Sequence, residues 1–264
     1  MYERAAPVAP LGPLWHVEGA QTFFAGPLAY NASHQHGAPV YLAGLYGSFR
    51  IRFRPGDWIT CRNAFVPAGI LHELECGGDP LAVLYREPDA GARALTGLIG
   101  PAHEVGGALV GSAGEVRPFR ALFESARACD WAGEALSDIA GSAARRDDRP
   151  VDRRIAQIIA RLGSSQDACM TAGRLAASAD LSTSRMQHLF SEAVGVPFRR
   201  YRAWARMRRA IDAVVQGANL TRAAHEAGFA DQAHFANAFR KTFGAPASYS
   251  LSKIRRPTTS IRSG

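Results

Sequence analysis

Three histidines in the first third of the chain have the residue type, and part of the spacing, of a metal site. His34 and His36 are separated by one residue, so a β-strand would point both imidazoles to the same face of its sheet. His72 ends residues 67–72 (PAGILH), which follow the pattern PxGxxH. Imidazole is a common ligand of divalent metals, and three suffice for a tetrahedral or octahedral site with an open position. The candidate metal ligands are therefore His34, His36 and His72.

An internal repeat organises the C-terminal part of the chain. Four positions return 49 residues later: Met186, Phe190, Gly195 and Pro197 recur as Phe235, Phe239, Gly244 and Pro246. Each copy predicts a short helix, a tight turn and a longer helix that begins after a capping side chain, Ser182 or Asp231. A glycine ends each longer helix. Two such copies indicate two helix-turn-helix units.

One long helix is predicted between the copies, from Pro197 to Gln216. Its apolar residues lie on two sides, so we expect it to be sandwiched between the units. At ~1.5 Å per residue it spans about 28 Å, close to the ~34 Å between successive major grooves on one face of DNA. Its charged remainder supplies candidate phosphate contacts: Arg199, Arg200, Arg202, Arg206, Arg208 and Arg209.

The exposed N-terminal positions of each longer helix could meet base edges in a major groove, whereas the buried stripe could not. The candidates in the first copy are Thr183, Ser184, Arg185, Gln187 and His188. Those in the second copy are Gln232, Ala233, His234, Asn237 and Arg240. Gln and Asn can form two hydrogen bonds with adenine, but Ala233 offers only a methyl group. The second helix is therefore expected to read sequence more weakly.

The charge distribution supports a polyanion partner for the C-terminal part. Residues 1–149 carry 13 arginines and 16 acidic residues, a net charge of −3, whereas residues 150–264 carry 18 basic and 7 acidic residues, a net charge of +11. The four cysteines (Cys61, Cys76, Cys129, Cys169) form no CxxC pair, which argues against a disulfide scaffold or zinc ribbon. No apolar run approaches ~18 residues and no signal-peptide pattern is present, so we expect a cytoplasmic protein without a membrane span.

The rest of the chain predicts three further segments. Residues 1–90 predict short strands of a sandwich or small barrel, among them Ser48 to Arg54, in which aromatic or aliphatic residues alternate with arginines. Residues 91–143 predict a helical connector, with helices from Pro118 to Cys129 and from Trp131 to Ala140, and His103-Glu104 in a loop. Ser142 to Pro150 is the predicted linker to a domain at 150–251, and residues 252–264 predict a basic, disordered tail.

Residues 150–251 resemble the DNA-binding domain of the AraC/XylS family of bacterial transcription regulators. The matching text is Leu175-Ala176, residues 182–190 (STSRMQHLF), Gly195-Val196-Pro197, Tyr201, residues 228–235 (GFADQAHF), Phe239-Arg240-Lys241, residues 243–246 (FGAP) and Tyr249. Ala223 stands where the family usually has Ile, and Ser250 where an Arg often follows the final Tyr. The resemblance implies sequence-specific binding to double-stranded promoter DNA, with RNA polymerase as a further partner.

The N-terminal part resembles the cupin barrel, in which an HxH motif and a later His meet inside the barrel. The Glu that usually follows HxH is missing, with Val40 and Tyr41 near its expected position. Three alternatives stay open: a divalent metal site at the histidines, a metal-free pocket for a small molecule, and a filled core without a ligand. In the AraC/XylS family the helices after the barrel commonly form a homodimer interface. Phe119, Leu122 and Phe123 are the expected interface residues here, with packing on the chain's own barrel as the alternative.

These observations predict an α+β protein with an N-terminal cupin-like β-barrel, connecting helices, and a C-terminal all-α domain with two helix-turn-helix units joined by a long helix. The predicted function is a sequence-specific DNA-binding regulator, an activator in keeping with the family, controlled by a small molecule or metal in the barrel. It is not expected to be an enzyme. The alternative is a cupin metalloenzyme fused to a DNA-binding domain, against which the missing Glu argues.

Overall fold

A computed structural model describes residues 11–88, 92–143, 151–163 and 170–256. Most of the predicted linker (144–150) and of the predicted tail (257–264) lies outside the described residues, as does Cys169. Within them the protein is α+β, as predicted, with antiparallel sheets in the N-terminal part and helices in the C-terminal part.

Two antiparallel sheets form the N-terminal domain. The strands are β1 (Leu14–Glu18), β2 (Gln21–Pro27), β3 (Tyr30–His34), β4 (Val40–Gly44), β5 (Phe49–Phe53), β6 (Trp58–Cys61), β7 (Asn63–Val66), β8 (His72–Glu75), β9 (Pro80–Arg86), β10 (Ala102–Val105) and β11 (Ala108–Gly111). One sheet has the order β1-β2-β9-β4-β7-β11-β10 and the other β3-β8-β5-β6. In the described chain no ladder joins an edge of one sheet to an edge of the other, so the predicted barrel is not closed.

Strand β5 shows why these segments fold as half-buried strands. Phe49, Ile51 and Phe53 point into the core between the sheets, and the alternating arginines point outward, as the sequence predicts. On that outer face Arg52 and Arg54 both donate to the carboxylate of Glu73 on the neighbouring strand β8.

The predicted helical connector was wrong for residues 102–111, which form β10 and β11 at the edge of the larger sheet. His103 and Glu104 therefore lie in a strand instead of a loop. Strand β10 is exposed along most of its length, so it lacks the apolar alternation that marks a strand in sequence. The signal that could have found the hairpin is its two-residue turn, Gly106-Gly107, both with positive φ.

Two helices follow these strands, α1 (Arg117–Glu124) and α2 (Ala132–Ala143). Phe119 and Leu122 are fully buried, and the Phe119 ring lies 5.8 Å from the ring of Phe23 on the larger sheet. The interpretation of these two residues as an interface with a second chain was therefore wrong, because the apolar stripe of α1 packs on the chain's own sheet. Phe123 is half-buried, 6.4 Å from the ring of the exposed Tyr46.

The C-terminal domain consists of helices, as predicted. They are α3 (Arg153–Gly163), α4 (Ala172–Ala177), α5 (Thr183–Val194), α6 (Phe198–Val215), α7 (Leu220–Glu226), α8 (Gln232–Phe243) and α9 (Ala247–Leu251). Helices α4 and α5 form the first helix-turn-helix unit, α7 and α8 form the second, and α6 connects them. Helix α6 is buried on two sides, as predicted. The expected position between the two units is only part of its environment, because Tyr201 and Trp204 contact Glu87 of the N-terminal domain.

Candidate DNA interface and three-histidine site

The two candidate recognition helices, α5 and α8, begin and end by the same local chemistry. The side chain of Ser182 accepts the backbone N–H of Arg185, and that of Asp231 accepts the N–H of His234. Gly195 and Gly244 end the helices in the left-handed conformation, at φ 81° and 73°. The buried stripe of α5 holds Met186 and Phe190, and that of α8 holds the equivalent phenylalanines, so both helices present the opposite face outward.

All ten residues predicted to contact bases are exposed on these helices. They are Thr183, Ser184, Arg185, Gln187 and His188 on α5, and Gln232, Ala233, His234, Asn237 and Arg240 on α8. Two of them are held within the second unit. The Gln232 side-chain oxygen accepts a hydrogen bond from the Thr221 hydroxyl at 3.0 Å, and His234 Nδ1 accepts from the backbone N–H of Ala230 at 3.3 Å.

The arginines of α6 divide into two groups. Arg199 and Arg200 are exposed, as a phosphate contact requires. Arg208 is not available in this way, because its guanidinium donates to Gln21 O at 3.0 Å and to the Thr22 hydroxyl at 2.8 Å, and lies 3.5 Å from the Glu87 carboxylate. The prediction of a phosphate contact at Arg208 was therefore wrong: this arginine joins the two domains.

Glu87 is the centre of this polar contact between the domains. Its carboxylate is buried and accepts hydrogen bonds from the Tyr201 hydroxyl and from the Trp204 indole, the latter at 3.2 Å. Tyr201, Trp204 and Arg208 all belong to α6, whereas Glu87 follows strand β9. No local pattern marks Glu87 in the sequence, because its partners lie more than 100 residues away.

The three predicted metal ligands meet in the N-terminal domain. His34 on β3 pairs with His72 on β8, and His36 follows β3. The ring centroids lie 4.3 Å apart for His34 and His72, 4.8 Å for His34 and His36, and 5.1 Å for His36 and His72. All three side chains are buried, and one nitrogen from each lies within 4.8 Å of the others.

Hydrogen bonds and burial leave these imidazoles in the state that metals bind. His34 Nδ1 lies 2.7 Å from Ala32 O and His72 Nδ1 lies 2.9 Å from Ile70 O, so each ring donates Nδ1–H and keeps the lone pair on Nε2. Within the described chain, His72 Nε2 and His36 Nδ1 are buried without a hydrogen-bond partner. Burial lowers the pKa of His72 to about 4 and, with the neighbouring imidazoles, lowers the pKa of His34 and His36 well below the ordinary value. Neutral rings with unused lone pairs fit a divalent metal.

The nearest acidic side chain along the chain is turned away from the histidines. Glu73 follows His72 on β8 and therefore points to the other face of the sheet, where it is held by Arg52, Arg54 and Tyr30. Burial opposes ionisation of Glu73, but these hydrogen bonds outweigh it and lower its pKa to about 2. The donor set among the described residues is thus three imidazoles.

A small cavity lies beside the histidines, between the two domains. Its volume is about 40 Å³, and it is lined by His34 and His36 together with aromatic residues of both domains, including Trp15, Tyr85 and Phe243. This space is enough for an ion or a water molecule. Sequence reasoning missed Phe243 because its apolar spacing reads as ordinary helix core.

Comparison with known proteins identifies the C-terminal domain. A protein family described as a helix-turn-helix domain matches residues 175–250. This part of the chain is an AraC-type helix-turn-helix domain. The match spans both repeated units and the connecting helix, and so confirms the prediction made from the repeat. A search of curated protein sequences gave no significant match.

Solved structures share the fold over 89% of this chain. ToxT from Vibrio cholerae, in the apo form of a lysine-to-alanine variant, aligns with a TM-score of 0.58 at 13% identity, over 89% of this chain and 98% of ToxT. A second ToxT structure from Vibrio cholerae aligns with a TM-score of 0.56 at 12% identity, over 89% and 98% of the two chains. Wild-type ToxT with an unsaturated fatty acid bound aligns at 0.54 and 11%, over 89% and 96%.

The chain thus joins an N-terminal domain of antiparallel sheets to an AraC-type DNA-binding domain, the composition of a DNA-binding transcriptional regulator. Among the described residues, no helix has the length and apolar character needed to cross a membrane.

Proposed function

We propose that the protein is a transcriptional regulator that reads a specific operator with α5 and α8 and answers to a divalent metal ion held by His34, His36 and His72. The observation that carries the DNA part is the separation of each recognition helix into a buried stripe and a fully exposed N-terminal face. Base-edge contact requires this separation, since a side chain in the core cannot enter a groove.

The geometry of the N-terminal domain favours a metal ion over an organic effector. Three buried, neutral imidazoles converge, and two of their nitrogens lack partners. An unpaired buried polar atom costs about 1–3 kcal/mol, and coordination would remove that cost. Imidazole suits Zn²⁺, Ni²⁺, Cu²⁺ and Fe²⁺, so these ions form the candidate class. Bound there, the ion would supply charge and a fixed coordination geometry to a buried site.

An organic effector is the second candidate, because a ToxT structure has an unsaturated fatty acid bound and because the cavity lining is largely apolar. Its small volume and the absence of Lys and Arg from its lining residues weigh against a carboxylate-bearing ligand in this arrangement of the domains. The small volume of the cavity, with the Phe243 ring 5.9 Å from that of His36, weighs against the alternative of a metalloenzyme acting on a substrate.

RNA polymerase and a second copy of this chain are the remaining proposed partners. Promoter DNA implies RNA polymerase as a second contact and the cytoplasm as the location. For a homodimer, the exposed aromatic residues Tyr46 and Trp131, near α1 and α2, provide a candidate surface, in place of the buried Phe119 and Leu122.

The test of the DNA function is selection from random duplexes with the purified full chain. We expect enrichment of one sequence, bound by wild type with at least ~10³-fold preference over random DNA. Binding without any sequence preference would contradict a regulator.

The test of the metal function is the metal content of untagged protein after incubation with Zn²⁺ and removal of excess. We expect one ion per chain, lost in His72→Ala and kept in the control His103→Ala, whose imidazole is exposed on β10. If the protein retains no metal above background, the metal function is contradicted and an organic molecule becomes the favoured effector.

A further inference from the structure

The segments that carry the three histidines also contact the C-terminal ends of both recognition helices. Strand β3 ends at His34, and its residues touch the end of α8. The loop that follows holds His36, and a second loop leads to His72. The first loop touches α6 at Trp204, and the second loop touches the junction between α5 and α6 at Val196. The two loops are themselves joined, because Gly69 N donates to His36 O at 2.9 Å.

The contact with the end of α8 is made by hydrogen bonds to two backbone carbonyls. Ala32 N donates to Gly244 O at 2.9 Å, and the side chain of Asn31 donates to Phe243 O at 2.6 Å. The approach is so close that a methyl group on Gly244 would lie 2.2 Å from Ala32 O and 2.7 Å from His34 Nδ1. One residue before Gly244, the ring of Phe243 lies 5.9 Å from that of His36. The end of α8 therefore rests directly on two of the three histidines.

The contact with α5 and α6 is made by two glycines. A methyl group on Gly37 would lie 2.5 Å from Trp204 Cβ, and one on Gly69 would lie 2.8 Å from Val196 Cγ1. Val196 follows Gly195, the residue that ends α5. Such distances are well below van der Waals contact, so only glycine allows the loops to approach the helices this closely.

We propose that these contacts form a clamp that couples occupancy of the three-histidine site to the relative placement of α5 and α8. The coupling rests on the metal function proposed above. An ion that draws His34, His36 and His72 together also sets the positions of the segments that hold both helix ends. Since the DNA-reading faces of α5 and α8 stay exposed beside the clamp, it acts by fixing their spacing rather than by covering them.

Thermodynamic linkage gives the expected size of the effect. If metal changes operator affinity by some factor, operator DNA changes metal affinity by the same factor, and such factors commonly lie between about 5 and 150. When the clamp is loose, the relative placement of α5 and α8 must be fixed during DNA binding. The entropy cost of this ordering lowers the operator affinity.

The test uses the full chain and its selected operator, with Zn²⁺ as the probe. Gly37→Ala pushes the loop away from Trp204 without requiring a left-handed backbone, and Gly47→Ala is the matched control, because its added methyl group meets only Asp79 at 3.6 Å. Val196→Ala is a second variant that removes the contact with Gly69 instead of crowding it. Thermal unfolding checks that each variant is folded.

We expect Zn²⁺ to change the operator affinity of wild type and Gly47→Ala by ~5-fold or more, and to change that of Gly37→Ala and Val196→Ala by less than ~2-fold. If wild type binds Zn²⁺ but its operator affinity does not change with Zn²⁺, the clamp is overturned and the metal site still stands. A Zn²⁺ response that persists in both clamp variants also overturns it. Failure of wild type to bind Zn²⁺ overturns the metal function together with the clamp.

Discussion

At the scale of single residues, the exposed positions of α5 and α8 differ in what they can read. Gln187 is exposed one turn into α5 and can form two hydrogen bonds with an adenine. Gln232 is also exposed, but its side-chain oxygen already accepts a hydrogen bond from the Thr221 hydroxyl. Gln187 is therefore the residue from which we expect the larger share of base discrimination.

Gln187→Ala should weaken binding to the selected operator by about 1–3 kcal/mol and relax the preference at one base position. The measurement is a titration of labelled operator and of its single-base variants at fixed salt. Gln216→Ala, at the exposed end of α6, is the control and should bind like wild type. An equal loss on random DNA would contradict base reading by Gln187.

A second residue-scale prediction concerns Glu73, which is buried on the outer face of the smaller sheet among Arg52, Arg54 and Tyr30. Glu73→Gln removes the negative charge to which these three side chains donate hydrogen bonds. The free energy of unfolding should fall by about 1–3 kcal/mol. Thermal unfolding should show a lower Tm than for Glu75→Gln, two residues along β8, where the carboxylate is partly exposed and pairs with Arg50. Equal Tm values for the two variants would show that the buried cluster contributes nothing.

At the scale of elements, helix α6 contacts both domains of the chain. One side packs within the helix-turn-helix domain, and another carries Tyr201, Trp204 and Arg208 to Glu87 and to the turn between β1 and β2. The basic residues of α6 therefore do not act together, and a count of arginines overstates the charge available to DNA.

Arg208→Ala should leave the salt dependence of DNA binding unchanged and lower the stability of the domain contact. The expected cost is about 1–3 kcal/mol, because buried acceptors around Glu87 lose a donor. Differential scanning calorimetry measures this loss, and DNA titrations at several salt concentrations measure the slope. Arg199→Ala, exposed on the same helix, should show the reverse pattern. A reduced slope for Arg208→Ala would restore its role as a phosphate contact.

The elements also show what the sequence could predict. The capped helices, the repeat and strands such as β5 follow from local signals, namely Ser182, Asp231, Gly195, Gly244 and apolar alternation. The convergence of His34, His36 and His72 was expected only through resemblance to cupins, since it depends on the pairing of β3 with β8. The contacts of Glu87 could not be foreseen, because its partners are distant in sequence and share no periodic signal with it. For Phe119 the apolar stripe predicted burial but left open whether the covering surface was the chain's own sheet or a second chain.

At the scale of the whole molecule, a nearly neutral domain and a strongly basic one are joined through a closely packed contact. The positive charge is concentrated in the half that bears both recognition helices, so it attracts the DNA backbone without placing a large positive charge on the sensing domain.

The affinity of the full chain for its operator should fall by ~10³-fold or more between 50 and 200 mM salt, as expected for a protein that displaces several counterions from DNA. Preference for the operator over random DNA should persist across this range. Titrations at four or five salt concentrations give the slope, and a slope near zero would contradict phosphate binding by the basic half.

The ten exposed residues of α5 and α8 are separate from the buried stripes and from the glycine contacts at the helix ends. An exchange of these ten side chains would therefore leave in place the buried stripes of α5 and α8 and the attachment of the helix ends to the histidine-bearing segments. The DNA sequence that this architecture recognises and the signal to which it responds can thus change independently. One sensing domain could be brought to control new genes by substitutions confined to two helix faces.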